Sequence, residues 1–143
     1  MADLNRPYII DFKMRRGYLF AKVTSDSMSL DISIACATDI AKKSTECGTK
    51  NILLLRDVQG TMPDSDLFLA STHLIDLTKG KRVAFVNPYP EIAEDLEFAV
   101  RIGTNRGAVH RLFGSVESAE KWLLDADMPR NIRNSLNNYK INS

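Results

Sequence analysis

Cysteine is scarce in this chain: Cys36 and Cys47 are the two, and they stand eleven positions apart. On one helix they would share a face at a separation of about 16 Å. A disulfide needs Cα atoms within about 7 Å, so an internal bridge is excluded on that reading. Histidine is equally sparse. His73 and His110 lie far apart with no cysteine or histidine at ligand spacing, which leaves no metal motif. Charge of one sign is not in excess either. Nineteen basic residues face eighteen acidic ones, giving a formal charge of +1. Nucleic-acid binders rely on many Lys/Arg–phosphate contacts, so this balance speaks against such a partner and against a polybasic membrane anchor. Long apolar runs are missing too. The longest are short, such as Ile52–Leu55 and Val83–Val86, far short of the roughly 20 residues that span a bilayer, so no integral membrane contact is expected. The opening Met1-Ala2-Asp3-Leu4-Asn5-Arg6 lacks the basic start and apolar core of a signal peptide. With reduced cysteines, it implies a cytoplasmic protein.

What is present is the composition of one soluble domain: 143 residues, 44% hydrophobic and 26% charged. Tyr8–Met14 and Tyr18–Thr24 are rich in β-formers and flank Arg15-Arg16-Gly17, a hairpin signal. The period then changes. Leu30, Ile34, Ala37 and Ala41 recur at helical spacing, with Ser27 as a candidate N-cap and Gly48 as the stop. Asn51–Leu55 reads as a strand covered on both faces. The loop Arg56–Met62 leads into a second helix with Pro63 in its first turn and Leu67, Ala70, Leu74 and Leu77 on its buried face. Arg82–Val86 is another buried strand. A third helix begins near Pro90-Glu91, with Ile92, Leu96, Ala99 and Gly103 inside and Val100 beside them. Ala108–Phe113 is the fifth strand, and Ser115 caps a fourth helix with Val116, Ala119, Trp122 and Leu123 inward.

The order ββαβαβαβα predicts an α/β sandwich with a mostly parallel five-stranded sheet and helices packed on it. Residues 1–127 form a single domain on this reading, and 128–143 a polar tail with Arg130, Arg133 and Lys140 and no acid. Subtracting that tail leaves the body mildly acidic.

Chemistry is harder to find. Neither GxGxxG, GxxxxGK[ST] nor GxSxG occurs. Neither cysteine sits where a nucleophile next to a histidine would be expected. The residues imply no catalytic set, no metal and no cofactor. A weak enzymatic reading would draw acid–base chemistry from Asp57, His73 or His110. Ligands of open α/β sheets gather beyond the carboxyl ends of the parallel strands. That rule selects the loops Arg56–Met62, Asn87–Pro90 and Gly114-Ser115. The candidate binding surface is Arg56, Asp57, Gln59, Gly60, Thr61, Asn87 and Tyr89. Asp57 would bond loop amides or join a site. Tyr89, between two prolines, would be a contact residue or a rigid lid. The second helix carries an unusually wide apolar surface (Leu67, Phe68, Leu69, Leu74, Ile75, Leu77), suited to lining a cavity, to a dimer interface or to plain core.

Four stretches carry a family resemblance. They are Lys50–Asp57; Gly80–Val86; Asn105-Arg106-Gly107 before a strand; and Phe113-x-Ser115-x-Glu117-x-Ala119-x-x-Trp122-Leu123. Over roughly Tyr8–Leu124 the chain resembles the STAS superfamily, specifically its SpoIIAA-like, anti-sigma-factor-antagonist-type domains. The resemblance implies a bacterial regulatory or protein-interaction module without enzymatic chemistry, binding a protein partner or a second copy of itself. Regulatory members carry a phosphorylated Ser in an Asp-Ser-x-Gly turn. The matching turn here is Asp57-Val58-Gln59-Gly60, and Val58 accepts no phosphate. Thr61 and Ser65 are nearby hydroxyls outside the matching position. The alternative reading is a small-molecule or lipid-binding α/β domain, since SpoIIAA-like domains are similar to lipid-binding α/β folds.

Overall fold

A computed structural model describes residues 7–126. The polar tail at 128–143 lies outside the described residues. Strands β1 (Ile9–Arg15), β2 (Tyr18–Thr24), β3 (Asn51–Asp57), β4 (Arg82–Val86) and β5 (Val109–Phe113) form one sheet in the order β1-β2-β3-β4-β5. The first pair is antiparallel and the other three are parallel. Helices α1 (Leu30–Glu46), α2 (Asp64–Leu77), α3 (Ala93–Asn105) and α4 (Val116–Ala126) follow β2, β3, β4 and β5. The α/β class, the element order and the mostly parallel sheet agree with the sequence pattern.

The hairpin turns at Gly17, whose φ of 89° is one that side chains disfavour. α1 starts two residues later than Ser27 suggested. Ser29 is the N-cap, its hydroxyl accepting from the Ile32 N–H at 3.2 Å. Ser27 is instead drawn into the preceding turn, where its carbonyl accepts from the Ser25 hydroxyl at 2.6 Å. The third helix also begins differently. Pro90–Ile92 forms one turn of 3-10 helix and α3 proper starts at Ala93. Ala108 stays out of β5 because its N–H closes the end of α3 on the Gly103 carbonyl at 2.9 Å.

Strand alternation sorts the sheet into two faces. Ala21, Val23, Ile52 and Val83 pack under α1 with Cys36 and Ile40, joined by Leu54 and Phe85. Tyr18, Leu53, Ala84 and Val86 pack on the opposite face against Ala119 and Leu123 of α4. Because consecutive strands are neighbours, crossovers of one hand put α1, α2 and α3 on the same face. They line up there, α1 against α2 and α2 against α3. Among the described residues α4 alone covers the other face, lying close on β3, β4 and β5. α2 differs from α4 in what holds it. Its close neighbours are α1 and α3, through a seam of Met62, Leu67 and Ala70 with Met28, Phe98 and Ala99. It bridges its two flanking helices above the sheet.

Candidate functional site

Beneath that bridge is a cavity of about 110 Å³. Its floor is the sheet, at Val23, Leu54, Arg56, Phe85, His110 and Leu112. Cys36 and Ala37 of α1, Leu67, Ala70 and Leu74 of α2, and Leu96, Ala99 and Val100 of α3 form walls and roof. Met28 and Met62 close the end near the Arg56–Met62 loop. The helix positions are the ones the 3.6-residue period marks as inward. The wide apolar surface of α2 divides: Leu67 and Leu74 face the cavity, whereas Phe68 and Leu69 point outward at 40% and 45% exposure.

Two polar side chains interrupt this apolar lining from the floor. Arg56, 9% exposed, is the last residue but one of β3 and lies on the cavity face. Its Nη1 donates to the Val58 carbonyl at 2.7 Å and its Nη2 to the Gly60 carbonyl. Both acceptors are neutral, and no carboxylate pairs with Arg56 among the described residues. Burial pushes its guanidinium down to about 10, which leaves it cationic at neutral pH. Cys36 is near enough to Arg56 to couple to it electrostatically.

His110, 6% exposed, stands edge-on to Phe85 with ring centroids 5.4 Å apart. Its Nε2 lies 3.1 Å from Thr78 Oγ1, and that hydroxyl donates to the Leu74 carbonyl at 2.6 Å. A hydroxyl has one hydrogen, so His110 Nε2 is the donor to Thr78 and Nδ1 carries the lone pair. Burial lowers its pKa to about 4, so it is a neutral imidazole at pH 7. Gly103 makes room for it: a Cβ at that position would stand 2.9 Å from Nδ1.

The other predicted site residues are arranged above the strand ends. Asp57 points to the opposite face of the sheet from Arg56. It accepts from the Tyr89 hydroxyl at 2.5 Å and lies 3.9 Å from Lys22 Nζ. Tyr89 therefore ties the first two predicted loops together, and the bond to Asp57 raises its pKa. Asn87 is structural: its Oδ1 accepts from Tyr89 N–H at 3.0 Å, its Nδ2 donates to the Tyr89 carbonyl at 2.8 Å, and its own N–H reaches the Phe113 carbonyl. Gln59 is exposed. Gly60 supplies a carbonyl to Arg56. The Thr61 hydroxyl is buried with no hydrogen-bond partner among the described residues. Asp57, His73 and His110 do not converge: His73 is exposed on α2 and His110 is on the cavity floor. Among the described residues no three His, Cys, Asp or Glu side chains gather as a metal site would need, and no helix is long and apolar enough to cross a membrane.

Of the seven candidate residues, only Arg56 reaches the cavity. Spacing marks Leu96 as inward, but the sequence reading draws no signal for Cys36 and Leu112 as lining residues and considers His110 only as a base or metal ligand. A signal existed for His110 and Leu112, which alternate along β5 on the face that also carries Phe85. No family model and no curated protein matches the chain.

Proposed function

We propose that this chain is a binding module of SpoIIAA/STAS-like architecture whose cavity under α2 takes a small, largely apolar molecule. The observation that carries this reading is the unfilled space itself, since protein interiors otherwise pack to crystal density. Its size limits the occupant. An engineered apolar cavity of about 150 Å³ binds benzene, so about 110 Å³ suits a single ring or a short chain of about six heavy atoms. A full acyl chain does not fit without displacement of α2. At about 0.8 kcal/mol per heavy atom such a ligand binds with Kd on the order of 0.1–1 mM.

That affinity dictates the test. Protein-observed NMR with benzene, toluene and hexanol should show binding, with shifts at Ala70, Leu74 and Leu112. Ala99→Leu should fill the space, abolish those shifts and leave the fold intact. Unmoved resonances at saturating probe would overturn the reading. A protein-interaction module is the second reading, favoured by the outward Phe68 and Leu69 of α2 next to the loop that precedes it. A partner or a homodimer that protects these two side chains from solvent would support it.

A further inference from the structure

An apolar cavity with one buried guanidinium in its floor asks for a particular kind of occupant. Arg56 has five N–H donors in a planar fork, and two of its nitrogens are engaged by neutral backbone carbonyls. These contacts satisfy hydrogen bonds without neutralising charge. A buried cation without a counter-ion is costly, and no carboxylate among the described residues supplies one. Asp57, next in sequence, is turned to the other face of the sheet and already holds Tyr89 and Lys22.

Resting on the reading of the cavity as a ligand site, we propose that its ligand is an apolar monocarboxylate, with the carboxylate paired to the Arg56 guanidinium and the tail lying between the sheet and α2. The guanidinium fork matches a carboxylate in a two-point contact. A single positive charge also sets the ligand's charge. His110 is neutral and lends none, so a monoanion balances Arg56, whereas a dianionic phosphate would bury a negative charge of its own. The chemical class is thus a short-chain or single-ring carboxylic acid rather than a phospholipid or a nucleotide.

The test compares butanoate with butanol, and pentanoate with pentanol, on the purified protein at pH 7, by NMR titration. Each acid should bind at least tenfold more tightly than its alcohol. In Arg56→Met that preference should vanish while the alcohol still binds; Arg56→Lys, which keeps the charge but loses the fork, should retain part of it. Cys36→Ser should keep the preference, because the guanidinium carries it. The comparison within the unmodified protein does not depend on any variant folding. If none of the four compounds binds, the cavity reading itself fails. If alcohols bind as tightly as acids, the cavity reading stands and the assignment of a carboxylate falls. Acid preference that survives in folded Arg56→Met would also overturn it.

Discussion

On one face of the sheet α4 lies down on β3, β4 and β5; on the other, α2 rests on α1 and α3 and leaves about 110 Å³ beneath it. The close face has a small residue at its centre. Ala119, fully buried, lets the helix backbone approach Leu53 and Ala84, and Leu123 fills what remains. The open face has Leu67 and Leu74 over a floor that includes Arg56 and His110. A guanidinium and an imidazole tethered to backbone carbonyls and a threonine cannot interdigitate as aliphatic side chains do. The lesson is that two apolar stripes of the same period can end in a packed core on one side and a chamber on the other. The decision lies in the few small and polar positions that face each other across the gap.

The largest expected difference between the faces comes from truncation. Leu123→Ala should cost about 3–4 kcal/mol in urea denaturation, because a fully buried leucine leaves a new cavity. Leu74→Ala, on a wall that already borders empty space, should cost about 1–2 kcal/mol because fewer contacts are lost. Equal costs would break the comparison.

Acid should act on the open face through His110. The unfolded chain binds a proton on His110 near pH 6.5 and the folded chain only near 4, so between those values the unfolded state carries more protons. Stability should therefore fall as pH drops from about 6.5 to 4, by up to about 3 kcal/mol. His110→Gln, which can still donate to Thr78, should flatten that part of the pH–stability curve. A curve unchanged by the substitution would detach the acid response from this residue.

Gly103→Ala probes the fit around the same ring. In an exposed helix interior the change would add about 1 kcal/mol of stability. Here the new methyl meets His110 Nδ1, and a loss of about 1–2 kcal/mol is expected in thermal melts. A gain would show that the ring has room to move. The smallest effect should be on the outer surface of α2, where Phe68→Ser is expected to stay within about 0.5 kcal/mol of the parent. A larger loss would mean that its stacking with Arg106, 5.0 Å from ring centroid to guanidinium carbon, holds α2 in place.

Much of this arrangement is legible in the residues. The switch from period two to period 3.6 after Thr24, the continuous run Ile52–Leu55 and the turn signals place nearly every element. The inward positions Leu67, Ala70, Leu74, Leu96 and Ala99 follow from spacing alone. What spacing does not convey is distance across the layer. A stripe that lines a void and a stripe that fills a core have the same period, so the cavity could be suspected only from the excess of apolar residues on α2, and two of those, Phe68 and Leu69, point away from it. Arg56 stood out as a strand-end residue, but a charged residue at a strand end is ordinarily solvated. Its burial comes from the loop folding back so that the Val58 and Gly60 carbonyls receive it, a long-range outcome that no local pattern encodes. Asn87 and Tyr89 were rightly placed at the strand ends, yet they use their polar groups on each other and on Asp57.

The strict succession of strands across the sheet has a bearing on how the chain is made. Each new strand adds to the free edge left by the one before, so no segment must be held open for a later one to insert. As the chain leaves the ribosome, the hairpin and α1 can begin to order first, and each β-α unit extends what is already there. The exception is the face that α4 covers. Tyr18, Leu53 and Ala84 await a partner that is synthesised only after every strand is complete, so for most of its synthesis the nascent protein carries one finished side and one bare one.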